Sequence, residues 1–201
     1  MLFTDRIQLL SGTDAWLFLA TFCMYSILGW CVESAYMSLC NRKLTNRGFV
    51  KGPFCPIYGV GAMGGYFLLS AFSENVILLY FAGAITATVF EYMVGRLMLK
   101  LFGEVWWDYH DKPFNYQGII CLESTVAWGF YAVIIIGFLH RVVTGMAKWY
   151  TYGIGLWILK TVLLVFAIDF LWHLLDAFHI DVAGQKDRLV AKYYELKDRW
   201  Y

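Results

Sequence analysis

The sequence predicts an all-α, polytopic membrane protein of about five transmembrane helices followed by a C-terminal amphipathic cytoplasmic helix. Three observations carry that expectation. Of the 201 residues, 60% are hydrophobic and only 15% charged, too little polar material to cover a water-soluble globule of this size. Apolar stretches at 15–39, 55–73, 76–101, 118–139 and 150–178 match the roughly 20 residues needed to cross a hydrocarbon core of about 30 Å, and only the second is short. The basic residues gather between these stretches, 12 of the 16 on one side of the resulting zigzag.

Taken in order, the first loop holds Arg42, Lys43, Arg47 and Lys51, the third region Arg96, Lys100 and Lys112, and the tail Lys186, Arg188, Lys192, Lys197 and Arg199. The opposite side has Arg6, Arg141 and Lys148, while Lys160 lies within a span. Cytoplasmic loops are enriched in Lys and Arg, so the expected location is the cell membrane, with the N-terminus outside and the C-terminus cytoplasmic. Met1 to Asp14 carries acidic residues and no basic n-region with a cleavage site, so the first apolar helix is expected to serve as its own anchor. The division is into a transmembrane domain, 1–183, and a helix over 184–201. In that helix Leu189, Tyr193, Leu196 and Trp200 share a face, as in a segment lying on the anionic inner leaflet. A net charge of +1 from scattered basic clusters gives no reason to expect a nucleic-acid partner. Cys23, Cys31, Cys40, Cys55 and Cys121 show neither zinc-finger spacing nor a secreted disulfide pattern and are read as thiols.

Charged groups within spans carry the chemistry, since each costs roughly 2.5–3.5 kcal/mol at mid-bilayer unless it faces protein or water. Counted back from the cytoplasmic ends, Glu33, Glu91, Glu123 and Asp169 fall in the inner part of helices one, three, four and five. Asp169, His173 and Asp176 share one face of helix five. The inference is an acidic chamber open to the cytoplasm. Glu33, Glu91 and Glu123 are expected close enough that one holds a proton at neutral pH, with Arg47 as counter-charge. The competing reading pairs each acid with Arg47, Arg96 or Lys112 to pin loops near the interface.

The run Asn46 to Gly59 is rich in Gly and Pro, which break helices, and is expected to be re-entrant, since irregular backbone at membrane depth must be buried or line a cavity. Its counterpart is Trp106-Trp107-Asp108-Tyr109 with Lys112-Pro113-Phe114-Asn115. Glu33 precedes Pro53-Phe54 and Glu91 precedes Pro113-Phe114 at nearly equal distance, the pattern of an internal duplication. The expected substrate-binding residues are Glu33, Asn46, Arg47, Tyr58, Glu91, Trp107, Asp108, Asn115, Glu123, Asp169 and His173. No metal or cofactor is assigned. There is no Glu-x-x-His pair, and Gly59-Val60-Gly61-Ala62-Met63-Gly64 enters an apolar span rather than a strand-helix turn, so it is read as close helix packing.

The strings Gly29-Trp30-x-x-Glu33, Asn46-Arg47-Gly48-Phe49, Gly52-Pro53-x-Cys55-Pro56-Ile57-Tyr58-Gly59, Glu91-Tyr92, Trp106-Trp107-Asp108-Tyr109 and Pro113-Phe114-Asn115 resemble the CmpB-like ABC-transporter type IV family over roughly residues 20–130. The resemblance implies a small multi-pass protein with a transporter label. The chain has no Walker A motif, so ATP-derived energy has to come from a separate ATPase subunit. The preferred function is a membrane transport or permease-type protein whose cytoplasm-facing acidic chamber binds a cation or small polar solute. The alternatives are an intramembrane enzyme acting on a lipid or lipid-linked substrate, with an acid as general base, and an accessory subunit without chemistry. The expected partners are the lipid bilayer, a separate ATPase or other membrane subunit, and further copies of the chain. Single cysteines placed near Lys51, Lys112 and Lys192 should resist an impermeant thiol reagent applied to intact cells; prompt labelling of any of them contradicts the topology.

Overall fold

The computed structural model describes residues 12–45 and 52–177. Asn46, Arg47 and the expected amphipathic helix over 184–201 lie outside the described residues, as does the side chain of Asp176. Five helices follow in order: α1 (Gly12–Asn41), α2 (Pro56–Leu69, continued by a 3-10 turn Ser70–Phe72), α3 (Val76–Phe102), α4 (Leu122–Tyr150) and α5 (Gly153–Ala177). Among the described residues no strand forms, only the isolated bridge between Tyr116 and Ile120. All but α2 are long and apolar enough to cross a membrane. The molecule is an all-α, multi-pass membrane protein.

The distribution of side chains is the inverse of a water-soluble bundle. On α3, Phe81, Ile85, Val89, Met93 and Leu97 are more than half exposed, whereas Gly83, Ala84, Glu91, Gly95 and Met98 are buried. Lipid tails are as apolar as leucine, so helices associate through close van der Waals packing and small residues. Gly83 lies against Ala132 and Gly95 against Ile119, while the hydroxyl of Thr88 meets that of Thr125 at 2.9 Å. The partner numbers fall as the α3 numbers rise, which makes α3 and α4 antiparallel. α3 starts on Asn75, whose side chain accepts the Leu78 N–H, and stops at Gly103, whose φ of 76° is the left-handed conformation glycine adopts without strain.

The α1–α2 hairpin is built differently. The Cys55 N–H donates to the carbonyl of Ser26 at 3.1 Å, which sets the start of α2 against the middle of α1, roughly 22 Å along the axis from Asn41 at about 1.5 Å per residue. Phe54, only 4% exposed, stacks on Phe166 of α5 at 4.0 Å and meets Phe22 edge-on at 5.9 Å. The segment leading into α2 thus enters the bundle, as a re-entrant connection does. With 14 residues and a 3-residue 3-10 turn, α2 has roughly 25 Å left to rise.

The fourth helix departs from the expected 118–139. It starts at Leu122, because Cys121 caps it: the Cys121 sulfur accepts the Ser124 N–H and the Ser124 hydroxyl accepts the Cys121 N–H. It then passes through a π-helical segment, Ile135–Leu139, and carries Arg141 and Lys148 within the helix rather than in an outer loop. No proline interrupts it before Gly153, with φ 58°, and its 29 residues span about 44 Å, so its charged end extends past a core of about 30 Å.

Just past the π segment the Tyr25 hydroxyl pairs with His140 Nδ1 at 3.2 Å, and the Tyr66 ring stacks on the imidazole at 3.5 Å. This ties α1, α2 and α4 together; an interhelical hydrogen bond in a membrane protein contributes about 0.6 kcal/mol on average. α1 and α5 run parallel. Near their starts Lys160 Nζ sits over the rings of Trp16 and Trp157, at 5.2 and 5.0 Å, a cation–π arrangement that lets the ammonium be carried within a span. Further along α5, Asp169 accepts the N–H of Gly52 from the segment that leads into α2.

A Cβ on Gly83 would collide with that of Ala132, while Gly64 has open space around it. Gly83→Val should therefore lower thermal stability in detergent by about 1–3 kcal/mol, the usual cost of overpacking, and Gly64→Ala should leave it unchanged.

Candidate functional site

The site forms where α3, α4 and the loop between them meet. Glu91 points from α3 toward α4 and is 8% exposed. Its Oε1 accepts the Tyr109 hydroxyl at 3.1 Å, and its Oε2 accepts the Ser124 hydroxyl at 3.2 Å and the Trp128 indole N–H at 3.0 Å. Ser124 and Trp128 stand one turn apart on α4, so one helix face supplies both donors. All three donors are neutral. Among the described residues no Lys, Arg or His comes within ion-pair range of this carboxylate.

Tyr109 reaches Glu91 because the 103–121 loop is folded on itself. Trp107 Nε1 donates to the Ile119 carbonyl at 2.7 Å. Asn115 Nδ2 donates to the carbonyls of His110 and Lys112 at 3.0 and 2.8 Å, and its Oδ1 accepts the Gly118 N–H at 3.2 Å. The Tyr109 N–H closes on the Gly118 carbonyl at 2.9 Å. Asp108 accepts the backbone N–H of His110 and pairs with its ring, and these contacts hold its carboxyl below the usual range. Trp107, Asp108 and Asn115, expected as substrate-binding residues, here spend these polar atoms on shaping the loop. Burial, followed by the neighbouring Glu91 carboxylate, pushes the Tyr109 phenol above its ordinary range, with Cys121 and Glu33 adding to the effect.

Glu33 belongs to the same neighbourhood. Its Oε2 accepts the Tyr58 hydroxyl at 3.0 Å, and its charge reaches Tyr109. The two hairpins repeat one arrangement. Each second helix is entered through an extended cysteine, Cys55 or Cys121, and the hydroxyl three residues later, on Tyr58 or Ser124, donates to the acid of the first helix, Glu33 or Glu91. The Pro-Phe pairs that suggested a duplication are not the equivalent points. Phe54 is buried between aromatic rings, whereas Phe114 sits at the loop tip, 82% exposed.

The other two acids are placed elsewhere. Glu123 faces outward, its side chain 60% exposed, and accepts from Lys112 at 2.8 Å; that bond raises the lysine's proton affinity. This is the loop-pinning arrangement, and an exposed pair of this kind contributes about 1 kcal/mol or less. Asp169 accepts the Gly52 N–H at 3.1 Å and lies 3.2 Å from His173 Nδ1. It lines a cleft of about 440 Å³ with Gly52, Pro53, Phe166 and Trp172, against the first loop. Asp169, with His173 beside it, thus holds the re-entrant segment to α5, and neither Glu123 nor Asp169 shares the donors that serve Glu91. Ser124 and Trp128 escaped the sequence reading, although their one-turn spacing beside Glu123 was available as a signal.

Asn115→Ala removes three loop bonds and should speed hydrogen exchange at the Gly118 amide about tenfold or more, the equivalent of about 1.4 kcal/mol. Glu123→Gln should leave that rate unchanged.

No curated protein and no solved structure matches the chain. A family model described as "Putative ABC-transporter type IV" matches residues 20–174. The match runs past the two motif-bearing hairpins, through the second half of α4 and most of α5. With Glu33, Glu91, both connecting loops and all five helices represented in that match, the chain belongs to the putative ABC-transporter type IV family.

Proposed function

We propose that the chain is the permease-type, membrane-embedded part of a transport system, and that the cluster of Glu91 and Glu33 with Tyr109, Tyr58, Ser124 and Trp128 binds a cation or a small polar solute from the cytoplasm. The observation that carries this reading is the buried Glu91 carboxylate, held by three neutral donors and, among the described residues, by no cation. A buried charge without a paired cation is costly, and acids kept inside membrane bundles mark solute and ion pathways by default.

The orientation follows the basic residues, with Lys100 and Lys112 at the cytoplasmic end and the N-terminus outside. The cluster then lies near the cytoplasmic face, where the loop carrying Tyr109 closes it. A separate ATPase subunit supplies the energy, since the chain has no Walker A motif.

The test is downhill flux in proteoliposomes under an imposed gradient, which needs no ATPase, followed with a trapped pH-sensitive dye and with labelled rubidium, amino acids and sugars. Glu91→Gln keeps the shape and loses the charge, so the protein should still fold while flux falls about tenfold or more, the equivalent of about 1.4 kcal/mol. Wild-type flux in Glu91→Gln and Glu33→Gln alike would remove the acidic cluster from the pathway.

A further inference from the structure

We propose that Glu91 is a proton-exchange site and that the Ser124 hydroxyl is the rotor that serves both of its protonation states; this rests on the transport reading and names the cation as a proton. An ionised carboxylate only accepts hydrogen bonds. In that state the Tyr109 hydroxyl, the Ser124 hydroxyl and the Trp128 N–H all point at it. A protonated carboxyl carries an O–H of its own and needs an acceptor. On Oε2 the Trp128 N–H cannot accept, and Ser124 Oγ, 3.2 Å away, can.

Ser124 has one hydrogen and two acceptors within reach, Glu91 Oε2 at 3.2 Å and the Cys121 carbonyl at 3.0 Å. With Glu91 ionised, the hydrogen points at the carboxylate. When water on the loop side delivers a proton, the new O–H bond forms on Oε2 and donates to Ser124 Oγ, and the serine hydrogen turns to the Cys121 carbonyl. The Cys121 N–H keeps donating to Ser124 Oγ in both states, at 3.3 Å. The Cys121 carbonyl is held in both states by the Thr125 N–H and hydroxyl, at 3.0 and 2.9 Å. Neither state leaves the serine or the carbonyl unpaired, which is the requirement for a buried group that changes charge.

Among the described residues no charged group forms an ion pair with Glu91. From the loop Glu91 faces Tyr109, and from α4 it faces the Cys121 end, where Glu123 is already taken by Lys112. Glu33 of α1 accepts from Tyr58 of α2, and its charge acts on Tyr109. On α3 itself, Tyr92 and Arg96 both turn to Gln117.

Infrared difference spectra of the full chain in lipid vesicles, titrated between about pH 4 and about pH 9 to bracket carboxyls displaced by burial, test the proposal. A carboxylic-acid band should titrate in the wild type and vanish in Glu91→Gln. Trp128→Phe removes a donor that binds the ionised form more strongly than the neutral one, so half-protonation should occur at about tenfold lower proton concentration, the effect expected for one lost bond to a charged group. Ser124→Ala should shift the frequency of the acid band, and Ser124→Thr should restore it. Absence of a titrating band that depends on Glu91, or a midpoint indifferent to Trp128→Phe, overturns the proposal. Flux lost in Glu91→Gln without such a band leaves the transport reading, with a metal cation or neutral solute as cargo, and removes the proton. A titrating band in a protein that moves no solute or proton keeps the proton site and removes the transport reading.

Discussion

A carboxylate buried between packed helices is largely shielded from water, so the chain must bring its own donors to Glu91, and the packing of α3, α4 and the loop between them follows from that need. Donation from Ser124 and Trp128 requires α4 to start beside Glu91, which the Cys121 cap secures. Donation from Tyr109 requires the 103–121 loop to fold back over the helix ends, which Trp107 and Asn115 secure through the Ile119, His110, Lys112 and Gly118 backbone. Close approach of α3 to α4 at Gly83 and Gly95 brings the donors within reach, and a larger residue at either position would hold them off.

The first hairpin meets the same need with other means. Glu33 takes its bond from Tyr58, and the hairpin reaches into the bundle through Phe54 rather than closing over it. Its loop is held from the side by Asp169 of α5, which accepts the Gly52 N–H. Backbone that leaves helix geometry at this depth has unpaired donors that only protein can satisfy. The bonds from Cys55 to Ser26 and from Gly52 to Asp169 are that satisfaction, and they explain an acid on α5 without giving it a part in the Glu91 cluster.

Polar groups near the ends of the helices follow a different rule. Glu123 pairs with Lys112 and Asp108 with His110, both in exposed positions where screening keeps the interactions weak. Lys160, which lies within a span, rests between two tryptophan rings. Charge is therefore sorted by access to water: paired and exposed at the loop side, covered by aromatic rings at Lys160 of α5, and, among the described residues, held by neutral donors at Glu91.

The sequence by itself determined the fold class and the helices of the bundle, and it singled out Glu33 and Glu91 as candidates, because a span of about 20 apolar residues and the cost of a charge inside it are properties of composition and position. It also determined that the Gly- and Pro-rich entry to α2 could not be a plain helix end. It overstated the chamber, since equal depth along four helices says nothing of the direction in which each helix faces. Glu123 turned out toward water and Asp169 toward the first loop, and that rotation is set by packing at Gly83, Gly95 and Phe54. The extension of α4 through its π segment and the service of Ser124 and Trp128 to Glu91 were likewise decided only in three dimensions. Hydrogen bonds between distant segments depend on which small residues let two helices touch, and no local pattern in one helix records its neighbour's surface.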